Sequence, residues 1–127
     1  MFYKFSLLFL FIFSFNELLE AQEYSITSEK IEINTDIDRI IYEDNVSFIS
    51  ENVTFQADKL VVIESTNEFY ATGNPIKISF FDGFEFIEGE AAQAKIVNED
   101  LILSESVSIV KSGNKIKSES LVIKLKR

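Results

Sequence analysis

Residues 45–62 read NVSFISENVTFQADKLVV, and the fold is decided by how this stretch repeats. Val46 and Phe48 flank Ser47, Val53 and Phe55 flank Thr54, and Leu60 and Val62 extend the pattern. Successive side chains of a strand point to opposite faces, so a period of two lays Val and Phe on one side and Ser, Thr or Gln on the other. Such runs are half-buried strands.

The same rhythm continues outward in both directions. Upstream it passes through Ile31 and Ile33; downstream it passes through Ile76, Ile78 and Phe80, then Val107 and Ile109. β-Branched residues are abundant, and the breakers EDN (43–45), TGNP (72–75), DG (82–83), NED (98–100) and SGN (112–114) arrive at short intervals. Pro75, the only proline, is expected at the first position of a strand just after a turn, where its missing donor costs little. After the N-terminal segment no apolar stripe of helical period has a useful length.

A weak internal repeat emerges when the polar-to-apolar steps are aligned. SEKIEI from Ser28, ADKLVV from Ala57, AAQAKI from Ala91 and SESLVI from Ser118 share a small residue, two mostly polar positions and an apolar alternation. A second anchor falls between them at DNVSF (44–48), GNPIKI (73–78) and ESVSI (105–109). Spacing near 30 residues predicts stacked strand-turn-strand units, each too small to bury its apolar face alone.

The first 21 residues read differently. Lys4 precedes the apolar run Phe5 to Phe15, then come Asn16, Glu17 and Ala21. Eleven residues make a helix of about 17 Å, short of the ~30 Å hydrocarbon core of a bilayer, so a secretory signal helix over 1–21 is expected. Leu19 stands where a small residue is preferred before the cut after Ala21, which leaves an uncleaved anchor as the alternative. Residues 22–127 then form a single domain of normal size.

Chemistry is limited by what the composition lacks. The 127-residue chain has no Cys, His or Trp, so disulfides, common nucleophile–base pairs and most transition-metal sites have no donors. No catalytic residue, metal or cofactor is expected. The acidic pairs Asp36 with Asp38 and Glu88 with Glu90 read as solvated positions on one strand face, since period two places each pair on the same side. The net charge of −9 argues against a nucleic-acid partner. Charge is also uneven: residues 22–100 are strongly acidic, whereas 101–127 hold six basic and two acidic side chains. One end of the domain is expected to be acidic and the other basic, which suits assembly between copies.

Three stretches, 45–62, ATGNPIKISFFDGFEFIEGEAAQAKI (71–96) and SESVSIVKSGNKIKSESLVI (104–123), resemble the OstA-like, LptA-type family of periplasmic lipopolysaccharide transport proteins. The likeness spans about Ile26 to Leu125 and is strongest in Gly73, Asn74 and Pro75 followed by Gly89 and Ala91. It implies an all-β fold, a curled β-jelly-roll of stacked antiparallel strands around an apolar groove. It also implies a function, carrying lipopolysaccharide across the periplasm to the outer membrane in a head-to-tail bridge. The implied partners are lipopolysaccharide, inner- and outer-membrane components of the same fold that pair by strand edges, and further copies of the chain.

Carried over from the resemblance, Ile78, Ile96 and Tyr24 are the candidate lipid contacts. Alternation adds Phe48, Phe55, Leu60, Val62 and Phe80. Asn98 falls where the family pattern shows an apolar residue. Burying each methylene stabilises by roughly 0.8 kcal/mol, so acyl chains in such a groove need no charged contact. Two other readings stay open at this point: a membrane-anchored component of the same pathway and fold, and a structural β-adaptor that pairs by its edges and holds no lipid.

Overall fold

The computed structural model describes residues 23–125; the expected signal helix and its cleavage site lie outside them. The described chain is all β: one antiparallel sheet in the order β1-β3-β4-β5-β6-β7-β8, with β2 beside β1 on the same edge of β3. The strands are β1 (Tyr24–Thr27), β2 (Lys30–Asn34), β3 (Arg39–Ser50), β4 (Val53–Ile63), β5 (Glu68–Phe81), β6 (Phe86–Val97), β7 (Asp100–Lys111) and β8 (Asn114–Lys124). Each strand after β2 pairs with the next by a short connection, the arrangement that period-two repeats predict.

Every ladder from β3 to β8 breaks near its middle. The register shifts between Glu43 and Val46, Gln56 and Lys59, Thr72 and Ile76, Glu90 and Gln93, and Ser104 and Val107. Bulged residues bend a strand, and bulges aligned across a sheet fold it along a line. The sheet is thereby divided into a first leaf, containing 46–57, 76–81, 86–91 and 107–118, and a second leaf, containing 39–43, 59–72, 93–104 and 120–124. The leaves face each other: Phe48 of the first and Phe69 of the second meet with ring centroids 5.3 Å apart.

Bending also changes which residues point inward. In β4 the buried set is Val53, Phe55 and Ala57 before the corner and Leu60 and Val62 after it; in β6 it is Ile87 and Ala91, then Ala94 and Ile96. One extra residue at the corner shifts the parity, so apolar side chains stay on the inner face through the bend. In β3 and β7 the corner instead uses paired left-handed residues, Asp44 (φ 70°) with Asn45 (φ 53°) and Glu105 (φ 68°) with Ser106 (φ 57°).

The repeat seen in the sequence is the repeat of these corners. Ala57 and Ala91 sit at the bends of β4 and β6, Ser118 at that of β8, and Ser28 in the break between β1 and β2. The second anchor marks the bends of β3, β5 and β7. Two of the breakers are therefore not turns: EDN and TGNP lie inside continuous strands, whereas DG, NED and SGN occupy hairpin connections.

Pro75 corrects the expectation in the same way. It does not open a strand but lies inside β5, after a cis peptide bond with Asn74. Between the pairs Thr72↔Gln93 and Ile76↔Ala91, residues 73–75 face a single residue of β6. A nitrogen without a proton is tolerated there because the ladder is already interrupted.

Gly89 has a packing role. A Cβ on it would lie 2.6 Å from Ile109 Cγ2 and 2.7 Å from the Ser108 carbonyl oxygen, so β6 and β7 approach closely only with no side chain. We expect Gly89→Ala to destabilise the protein by about 1–3 kcal/mol, the usual cost of overpacking. A urea-unfolding midpoint unchanged from that of the parent would show that the contact is not tight.

Candidate functional site

The inner face carries the site. Its middle is wholly apolar: Phe48, Phe55, Leu60, Val62, Phe69, Ile76, Ile78, Phe80, Ile96, Leu101 and Leu103 are all buried, and no polar or charged residue is buried among the described residues. Seven of the eight candidate positions, Phe48, Phe55, Leu60, Val62, Ile78, Phe80 and Ile96, thus lie together on this face. Ile78 and Ile96 come from opposite leaves of adjacent strands. Asn98 does not join them. It sits in the two-residue β6–β7 connection with φ 60°, a left-handed position that asparagine fills more readily than an apolar residue.

Tyr24, the eighth candidate, occupies the rim. Its ring stacks on Phe48 (centroids 5.6 Å, 18° between planes) and meets Phe69 edge-on (5.1 Å, 88°). Phe48 in turn stacks on Phe55 at 4.8 Å. These rings join β1 and the first leaf to the second leaf at one edge of the molecule, through edge-to-face and offset-stacked contacts.

Toward the edge strands the inner face becomes open. β2 places Ile31 opposite Tyr42 and Ile33 opposite Ile40. Cross-strand partners share a face, so these four line the inner side of the second leaf. Ile31 is 57% and Ile33 64% exposed, whereas Leu60 and Val62 one strand further in are at 0% and 1%. On the opposite edge Ile116 pairs with Ile109 and is 43% exposed, and Leu121, Ile123 and Leu125 pack at the margin of the core. The apolar surface therefore runs from a buried middle to a wet margin at both ends. β1 and β2 pair only with β3, and β8 only with β7, leaving both edges without a further strand among the described residues.

Sequence reasoning missed Tyr42, Phe69, Ile26 and Ile116 as members of this surface. Phe69 and Ala71 alternate like the residues that were found. Tyr42 follows Ile40 and Ile41, a run apolar on both faces that period two cannot orient.

Charge follows the edges. Glu29, Glu32, Asp36 and Asp38 belong to β2 and its flanking turns, with Lys30 among them paired to Asp44 at 3.4 Å, and Lys115, Lys117 and Lys124 belong to β8 with Glu119. The acidic pairs behave as solvated side chains with one correction. Glu88 and Glu90 share the exposed face of β6, but Asp36 and Asp38 lie in the β2–β3 turn. There the Asp38 carboxylate is held below its usual pKa first by the Ser65 hydroxyl and then by Ser65 N, which donates to it at 2.9 Å. No cluster able to hold a metal occurs among the described residues, and no helix among them is long and apolar enough to cross a membrane, a statement that does not bear on strands.

These features define the class: a bent antiparallel jelly-roll with an apolar interior and two open edges among the described residues. Residues 25–127 match the family described as LptA/(LptD N-terminal domain) LPS transport protein, and the chain belongs to that family. Its fold is similar to that of LptH, the LptA-homologous periplasmic component of the lipopolysaccharide transport device from Pseudomonas aeruginosa. The TM-score is 0.73 at 11% identity, over 81% of this chain and 76% of that one. No curated protein matches the chain in sequence. The family is one of transport proteins, not enzymes, and it places the chain in lipopolysaccharide transport.

Burial raises the phenol pKa of Tyr24, with a further push from Glu64; for Tyr42 burial again leads, followed by Tyr24 and Glu64. A folded pKa above the unfolded value of about 10 means the contribution is complete below pH 10 and is lost as pH rises through the folded value. We expect the unfolding midpoint to fall as pH rises above about 10, and to fall less in Tyr24→Phe, which has no phenol to ionise there. Equal losses in both proteins would show that Tyr24 ionises as freely as in water.

Proposed function

We propose that the inner face binds the acyl chains of lipopolysaccharide, and that the protein hands the lipid across the periplasm within a head-to-tail bridge. The observation that carries this reading is the continuous apolar face from Ile31 and Ile33, through Phe48, Ile78 and Ile96, to Ile116, buried in the middle and wet at both edges. An ordinary closed domain would have no reason to keep isoleucines exposed on the same face as its core. Acyl chains enter between the leaves and contact Ile78, Ile96, Phe48, Phe55, Leu60, Val62 and Phe80, with Tyr24 at the rim. Sugars and phosphates stay in water, because an acidic domain repels them.

The edges supply the bridge. A sheet end with unpaired backbone groups is completed by another strand, and β8 of one copy can extend the β1–β2 edge of the next. Lys117 would then approach Glu29 at the corner, and Lys124 would approach Glu32 and Asp36 on the second leaf. Such a junction places Ile116 of one copy near Tyr24 and Ile26 of its neighbour, and Leu121 and Ile123 near Ile31 and Ile33, so the apolar face continues from copy to copy. Partners of the same fold at the inner and outer membranes would dock on the two ends in the same way.

The rival reading, an adaptor that pairs by its edges and holds no lipid, is favoured by the burial of seven candidate contacts among their own neighbours. Ile33→Asp separates the two. Ile33 is exposed, so the variant folds, yet it places a charge at the mouth of the groove, and lipopolysaccharide uptake should fall about ten-fold or more. Uptake equal to that of the parent, or absent from both, would remove the lipid role from this face. Salt should split the two activities: end-to-end association, followed by light scattering, weakens as salt screens the edge charges, whereas lipid uptake does not. Uptake that falls with salt as steeply as association does would mean the lipid is held by charge.

A further inference from the structure

The outer face of the first leaf carries an apolar feature that the groove does not use. The four-residue β5–β6 connection, 82–85, holds Phe84 at 91% exposure, and Phe86 beside it is 57% exposed. Phe81 pairs with Phe86 across the hairpin, their rings 5.2 Å apart, and Val110 on β7 adds a 49% exposed neighbour on the same face. These side chains point away from the interior. A lone exposed phenylalanine is unremarkable, but a projecting aromatic backed by two more makes a contact surface.

The projection is held in place. Asp82 Oδ1 accepts hydrogen bonds from Phe84 N at 2.8 Å and Glu85 N at 3.0 Å, while its Oδ2 takes the Lys111 ammonium of β7 at 2.5 Å. Phe84 is therefore presented on a fixed loop and loses little freedom when something covers it.

Two further observations say what covers it. Tyr24 pairs with Ser50, so the chain enters the sheet at the rim of the first leaf, the same rim that carries the 82–85 connection. Four strand spacings of about 4.8 Å separate β1 from β6, so the two points lie within about 19 Å along the sheet. The apolar run ending at Phe15 is nine residues before Tyr24, a reach of about 30 Å at most. In the uncleaved form, with that run in a bilayer, the tether keeps the Tyr24 end of this rim within about 30 Å of the membrane. The charges nearby, Glu23, Glu51, Asp82 and Glu85 against Lys111, disfavour an anionic surface.

We propose that the first-leaf rim, led by Phe84, is a membrane-contact edge that dips into the interfacial zone of a zwitterionic bilayer. Phe84 and Phe86 enter at headgroup depth, the acidic side chains stay in water, and the mouth of the interior is held close to the lipid surface. This contact is independent of acyl-chain binding inside the sheet, so either can fail without the other.

The chain has no tryptophan, so one introduced indole reports alone. The full chain is reconstituted in phosphatidylcholine vesicles with brominated acyl chains, once as Phe84→Trp and once as Asp58→Trp, the latter at the exposed corner of β4 on the opposite side. Circular dichroism checks that both keep the sheet. The expected result is a blue shift and loss of emission by bromine quenching for F84W, with D58W emitting as in water. Emission from F84W that matches D58W would overturn the proposal. So would a shift in F84W that follows protein concentration with no vesicles present, which would assign the patch to a second copy. Lipopolysaccharide uptake by F84W, measured separately, should equal that of the parent.

Discussion

A single line of corners governs this protein. Each long strand is interrupted near its middle by residues with no ladder partner, and the interruptions align across the sheet. Without them the sheet would be a flat ribbon with one greasy face in water. With them the two halves of that face turn toward each other and bury their aromatic and branched side chains together. Each corner solves the bend locally, by an extra residue in β4, β6 and β8, by left-handed pairs in β3 and β7, and by Gly73-Asn74-Pro75 in β5.

Folding a sheet this way closes its middle and leaves its ends unfinished. A barrel would have joined first strand to last; here β1 and β2 stand at one edge and β8 at the other, each with apolar inner residues still wet. Such ends are an aggregation hazard for a domain whose edges no further strand covers.

Much of this was legible in the sequence. Strand content follows from period two and stacked strand-turn-strand units from repeats such as ADKLVV and AAQAKI, whereas the antiparallel curl was implied by the family resemblance. The repeat was visible, but its meaning was not, because a bulge and a turn use the same residues: Asp44-Asn45 reads as a breaker in either case. Inward direction was legible on either side of a corner and not across it, since Ala57 to Leu60 is an odd step. The aromatic contact among Tyr24, Phe48 and Phe69 joins residues far apart in the chain, and only the folded leaves bring them together. The exposure of Ile31 and Ile33 depends on which strand is an edge, a property that alternation does not encode.

The central claim is that lipid travels along the inner face and not along the outside of the sheet. Photo-crosslinking residues placed singly at Ile78 and Ile96, and at their strand neighbours Lys77 and Lys95, which point outward, test it by parity alone. Lipopolysaccharide should crosslink from 78 and 96 and not from 77 and 95. Equal labelling at all four positions, or labelling at 77 and 95 alone, would contradict the account.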